Sequence, residues 1–349
     1  MAATAHERAA STFDPERYFP RAWFDRITEI RIARPEVVEV EAQARQRRNR
    51  LTTDGRLLIL AADHPARMVL GAGDDPLAMG NRWRLLARIL RVLTAHEVDG
   101  LMATPDVLEE LFIVNSLEKA QGGQGFLDGK VLLGCMNRGG LAGTAFELDD
   151  RMTAFTPERI AAMHLDGAKV MFRLDVNEPA SAVTIGYCVD AVNACYRLGL
   201  PVFLEALPVE RVAGSYKVIK TADALVKIVS VASGLGASSL RTWLKIPYCE
   251  EFHRVAAATT CPILLLGGES RGDPRGLLAE LAAGMAAGAT VRGALVGRNV
   301  TYPGREDPQA VALAVHGIVH GGLSAEAAVA QLGHARNRNL DRFSSRHLV

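Results

Sequence analysis

A few ionisable side chains sit inside apolar runs, where such residues are costly to bury. Lys245 lies within Ser239-Leu-Arg-Thr-Trp-Leu-Lys-Ile-Pro-Tyr248. Burial of an amine lowers its pKa and yields a neutral nucleophile, the form that carbinolamine and Schiff-base formation require. The alternative for such a lysine is to snorkel outward between helices. Glu205, in Val202-Phe-Leu-Glu-Ala-Leu-Pro208, is an acid in a similar run. A buried acid needs a partner, so Lys245 and Glu205 on neighbouring strands are expected to interact. Asp63 ends Ile59-Leu-Ala-Ala-Asp63, where a carboxylate can pair with a lysine or move a substrate hydroxyl proton, or simply turn the chain. His64 follows it as an acid–base candidate or a hydrogen-bonded turn residue.

Lys169 and Arg173 share a parity in Gly167-Ala-Lys-Val-Met-Phe-Arg-Leu-Asp175, so both are expected to face one side of a strand. Two cations there suit an anionic substrate, with a salt bridge to Glu205 or Asp175 as the alternative. Two glycine-bearing turns, Gly267-Gly268-Glu269-Ser270 and Gly297-Arg298-Asn299, could bring backbone amides close to a phosphate, with Ser270 and Arg298 adding a hydroxyl and a charge. No H-E-x-x-H or G-x-S-x-G pattern occurs, His96, His164 and His253 fall on helical stretches, and no metal site is expected.

Elements that could position these groups are legible from residue 56 onward. Eight short apolar runs, Leu57–Ala62, Val98–Ala103, Val131–Met136, Lys169–Leu174, Pro201–Ala206, Ser239–Ile246, Pro262–Gly267 and Gly293–Gly297, read as strands buried on both faces of a parallel sheet. Helical stretches lie between them: Pro76–His96, Asp106–Lys119, Thr156–Leu165, Ser181–Leu198, Ile219–Gly234, Cys249–Ala258 and Asp273–Ala287. Asp307–Val319 serves as the eighth outer helix. Ser324 and Gly333 are expected to cap a further helix, Ser324–Leu332. The pattern predicts a closed (β/α)8 TIM barrel, whose active site lies at the C-terminal ends of the strands. An open doubly wound sheet would want a Gly-rich first turn, and Asp63-His64-Pro65-Ala66-Arg67 is not one. The barrel is assigned to residues 51–320. Residues 1–50 read as a charged helical extension, and 321–349 as a tail whose Arg-, Asn- and Ser-rich end, 335–349, is expected to be peripheral.

The chain of 349 residues is 49% hydrophobic and 23% charged, which excludes wholesale disorder. Its 40 basic residues are offset by 39 acidic ones, which argues against broad nucleic-acid binding. Five cysteines without a CxxC pair argue for a reduced, cytoplasmic setting, and no stretch reads as a membrane span.

The order of these residues, Asp63 on the first strand, Lys169 on the fourth, Glu205 on the fifth, Lys245 on the sixth, Gly267-Gly268 on the seventh and Gly297-Arg298-Asn299 on the eighth, resembles the class I aldolases. Within that superfamily, which includes deoxyribose-phosphate aldolase, it is most similar to the branch holding archaeal-type fructose-bisphosphate and tagatose-bisphosphate aldolases. Leu-Ala-Ala-Asp63-His, Leu-Lys245-Ile-Pro and Val-Gly297-Arg298-Asn299 carry the resemblance. It implies Lys245 as the Schiff-base lysine, Asp63 as a group that orients substrate and moves protons, Glu205 near the reacting hydroxyl, and Lys169 as the strand-four lysine. The backbone of Gly267–Gly268 and Gly297–Asn299 would hold a phosphate. The chain also looks like a divergent subgroup associated with myo-inositol breakdown. This implies cleavage of 2-deoxy-5-keto-gluconate 6-phosphate to dihydroxyacetone phosphate and malonate semialdehyde, with Arg67, Arg138 and Arg173 as candidates for the substrate carboxylate. Other ketose phosphates, such as fructose, tagatose or sulfofructose phosphates, and a non-catalytic sugar-phosphate-binding barrel are the alternatives. The expected partners are a small sugar phosphate and further copies of the chain. No cofactor is implied, because the iminium itself is the electron sink.

Overall fold

The computed structural model describes residues 13–138 and 141–344. Eight parallel strands close into a barrel: β1 (Leu57–Ala61), β2 (Gly100–Ala103), β3 (Val131–Cys135), β4 (Gly167–Leu174), β5 (Val202–Val212), β7 (Thr242–Pro247), β8 (Ile263–Leu266) and β9 (Val291–Val296). Neighbours follow chain order, β1 pairs with β9, and helices pack outside, as in a (β/α)8 TIM barrel. Each of the eight apolar runs overlaps one of these strands, although β4, β5, β7 and β9 extend beyond the run that marked them.

The strand interior alternates by two. Leu57, Ile59, Leu133, Phe203, Leu264 and Leu295 belong to a cluster separate from the larger core between strands and helices. Phe203 stacks on Trp243 at 5.6 Å, filling the lower barrel. The same inward parity carries Phe203 to Glu205 and Trp243 to Lys245, so a polar layer rests on an apolar plug.

Three details differ from the sequence reading. The first outer helix, α4 (Arg82–Leu93), starts six residues later than Pro76, because the Asn81 side chain accepts from the Arg84 N–H and sets the cap there. The fifth strand runs on to Val212, turns at Ala213 and Gly214, both with positive φ, and pairs antiparallel with β6 (Ser215–Val218). The last helix, α13 (Ala325–Ala335), starts on the expected Ser324 cap but continues through Gly333.

The terminal segments also pack against the barrel. Residues 1–12 of the expected extension and 345–349 of the expected tail lie outside the described residues. The extension contains α1 (Pro15–Tyr18), α2 (Arg21–Ala33) and α3 (Val37–Ala44). Its basic end clamps the N-terminal side of the barrel: Arg45 and Arg47 pair with Asp166, and Arg48 with Asp99, each acid lying just before a strand. The tail is not peripheral. Phe343 is fully buried, with its ring edge-on to Tyr18, Phe19 and Trp23 at centroid distances of 5.2–5.5 Å. One aromatic anchor outweighs the polar composition around it. No helix among the described residues is long and apolar enough to cross a membrane. All five cysteines are buried and free of disulfides.

Candidate active site

Parallel pairing brings the charged residues together at the C-terminal end of the barrel. Glu205 and Lys245 are register partners across β5 and β7. Lys169 pairs in register with Phe203, one inward position below Glu205, and its long side chain reaches up to it. Asp63 follows β1. The result is a continuous chain of charges: Lys245 Nζ lies 2.8 Å from Glu205 Oε1, Lys169 Nζ 2.8 Å from Glu205 Oε2, and Lys169 Nζ 3.1 Å from Asp63 Oδ2. Arg67 Nη1 stands 3.8 Å from the same Asp63 oxygen. All four cluster residues are buried, Lys169 completely.

The two lysines are electrostatically unlike. For Lys169, burial opposes the charged form, but Asp63 and Glu205 on either side outweigh it and raise the pKa. Lys245 has Glu205 alone at contact distance. Burial dominates there and the Lys169 cation adds to it, so its pKa falls below the ordinary lysine value. Burial would raise Glu205, yet Lys169 and Lys245 pull it below the usual carboxylate range. Asp63 likewise lies well below its ordinary value, with Lys169 and Arg67 outweighing burial. Asp63 Oδ1 is buried without a hydrogen-bond partner, leaving an acceptor for a hydroxyl. The arrangement supplies an amine poised toward neutrality, a fixed ammonium and two ionised carboxylates.

His64 is pushed down to about 3 by burial, with Arg67 and Arg298 adding to the effect against Asp63, so it is neutral near pH 7. Its ring lies against the end of β9: a β-carbon on Gly297 would stand 2.4 Å from His64 Cε1. Gly297 is therefore required by close approach, and no other residue fits without displacing the ring. Across the mouth, Gly268 has φ +68 and Asn299 donates its side-chain amide to the Gly267 carbonyl, tying the two turns together. A short helix, α11 (Arg298–Thr301), follows Gly297, and the amides of residues 298 and 299 precede the first N–H bonded back to the Gly297 carbonyl. The Ser270 hydroxyl donates to the Tyr302 carbonyl at 2.6 Å. Arg298 donates from Nη1 to the Gly71 carbonyl at 3.3 Å, while its Nε is buried without a partner.

Two expected cations are engaged elsewhere. Arg173 is held by Glu147, through both the carboxylate and the backbone carbonyl. Arg138 is part-exposed and donates to Thr153 Oγ1 at 3.0 Å. Of the arginines considered for a substrate carboxylate, only Arg67 contacts the buried cluster.

The sequence reading missed the residues that wall the mouth. Leu148, Leu207 and Val209 form a small apolar cluster over the site, with Leu266 packed against it. Leu207 shares the inward parity of Glu205, so the position above the acid is apolar. The alternation Ser215-Tyr216-Lys217-Val218 directly after Ala213-Gly214 was the available signal for this hairpin. Glu147 carried no local signal, because it stands in a loop. No group of three or more His, Cys, Asp or Glu able to hold a metal ion occurs among the described residues.

Residues 55–316 match the family described as Cgl0159-like. The crystal structure of Cgl0159 from Corynebacterium glutamicum has 36% sequence identity and a TM-score of 0.80, covering 87% of this chain and 99% of that one. The 2-amino-3,7-dideoxy-D-threo-hept-6-ulosonate synthase of Halobacterium salinarum is 28% identical over 293 residues, 82% of this chain and 95% of that protein. An archaeal fructose 1,6-bisphosphate aldolase shares the fold, with a TM-score of 0.55 at 18% identity over 82% of this chain and all of its own.

Proposed function

This chain belongs to the Cgl0159-like family, and from the geometry of its barrel mouth we propose that it is a class I aldolase, a lyase that joins Lys245 to a phosphorylated ketone. The observation that carries the proposal is the shared carboxylate: Glu205 lies 2.8 Å from both Lys245 and Lys169, and only Lys245 is shifted toward the neutral amine. Similarity to the halobacterial synthase, whose product is also a keto compound by its name, supports the same class of reaction.

In the proposed reaction, the Lys245 amine adds to the ketone, and loss of water gives a protonated imine. Asp63 or Glu205 takes the proton from the hydroxyl on the carbon β to the imine. The bond between the α and β carbons breaks, its electrons pass into the imine, and an aldehyde leaves. The remaining enamine is protonated on carbon and hydrolysed, returning the ketone and the free lysine. Lys169 stays charged throughout and keeps both carboxylates ionised before the proton is taken. The apolar wall of Leu148, Leu207 and Leu266 limits water at the mouth. The amides at Gly267–Gly268 and Gly297–Asn299 are assigned to the phosphate.

For the substrate we propose 2-deoxy-5-keto-gluconate 6-phosphate, cleaved between carbons 3 and 4 to malonate semialdehyde and dihydroxyacetone phosphate. Its carboxylate would approach Arg67, the arginine left in contact with the cluster. The test is to incubate the protein with a panel of ketose phosphates, reduce with borohydride, and measure intact mass. A single adduct that disappears in Lys245→Ala is expected. No adduct, or one that persists in that variant, overturns the reading.

A further inference from the structure

Resting on the aldolase reading, we propose that Lys220 is a phosphate-binding residue that reaches the seventh-strand turn from the β6 hairpin. Its Nζ lies 3.8 Å from where a β-carbon on Gly268 would stand. An ammonium there sits over the turn whose positive-φ glycine exposes the backbone. No ion pair or side-chain hydrogen bond of Lys220 occurs among the described residues, and the side chain is exposed.

The turn needs a cation from outside itself. Ser270 Oγ is already bound to the Tyr302 carbonyl, and the Asn299 amide is bound to the Gly267 carbonyl. Glu269, on the same turn, is exposed and carries the wrong sign for an anion. A phosphate of charge near two seated here would meet backbone amides and Arg298, but it would also feel that carboxylate. Lys220 offsets it. The backbone on either side of the lysine is fixed. The Ile219 N–H donates to the Pro208 carbonyl at 2.9 Å, and Thr221 caps α8 (Ala222–Ser233) through Ala224 N at 3.3 Å. The hairpin therefore fixes where the side chain is rooted, and only the side chain has to order when phosphate binds.

The experiment follows adduct formation at Lys245 against dihydroxyacetone phosphate concentration, with inorganic phosphate as competitor. Lys220→Ala is expected to raise both the half-saturating concentration and the inorganic phosphate inhibition constant about 10-fold, the size of one charge-assisted hydrogen bond, without changing the maximal trapping rate. Lys220→Arg is expected to recover most of the loss, and Lys217→Ala, on the same hairpin, to change neither value. Unchanged values in Lys220→Ala overturn the proposal while leaving the aldolase reading intact. If the unsubstituted protein forms no adduct, the aldolase reading fails, and phosphorus NMR of inorganic phosphate decides the site separately. Line broadening that is lost in Lys220→Ala supports it, and equal broadening in both proteins overturns it.

Discussion

Lys169→Met isolates the electrostatic role of the second lysine. The two ammonium groups flank one carboxylate at 2.8 Å each. They are therefore at most about 8 Å apart, and at an effective dielectric near 20 their repulsion is at least about 2 kcal/mol. Removing Lys169 relieves Lys245 of that repulsion and leaves Glu205 to pair with Lys245 alone. Both changes favour the charged amine, and 2 kcal/mol corresponds to about a 30-fold smaller neutral fraction at a given pH. The assay is the initial rate of borohydride-trapped adduct as a function of pH. The rising limb is expected to move to higher pH, with trapping about 30-fold slower near neutrality and recovering at alkaline pH. Lys169→Arg, which keeps the charge, is expected to leave the limb near its original position. A limb that stays in place in Lys169→Met, or moves to lower pH, refutes the coupling between the lysines.

Other perturbations follow from the same contacts. Glu205→Gln leaves two lysines without their shared carboxylate; because Lys245 can shed its proton, the loss of stability falls at the low end of the range for a broken buried pair, about 3 kcal/mol by urea unfolding, and cleavage drops by at least about 100-fold. Gly297→Ala drives a methyl group into His64, and is expected to lower stability by about 1–3 kcal/mol and to slow adduct formation. His320 hydrogen-bonds Asp54 and Asp99 through its two ring nitrogens at 2.8 and 2.9 Å, and although burial opposes it these contacts raise its pKa. Its stabilisation is complete below the unfolded value of about 6.5 and is lost as pH rises through the higher folded value, so denaturation midpoints should fall across that window and His320→Gln should flatten the slope. Phe343→Ala empties the pocket between Tyr18, Phe19 and Trp23 and is expected to cost about 3–5 kcal/mol, read as a lower unfolding midpoint.

The sequence determined the barrel and the identity of its charged residues. Strands buried on both faces must be continuous apolar runs, so each run stood out, and an ionisable residue inside one, such as Lys245, Glu205 or Lys169, was visible because water-excluded positions rarely hold such groups. Helix starts marked by a local cap, such as Thr156 and Ser324, were legible for the same local reason. The partners of those charges depended on closure. Arg173 has the same parity as Lys169, and nothing near it in the chain foretold that Glu147 would take it from the site. Asp63 and Lys169 lie 106 positions apart and meet only because the strands curl into a ring. Likewise, the lowered pKa of Lys245 follows from having one carboxylate beside it where Lys169 has two, a difference of position in space that residue order does not encode.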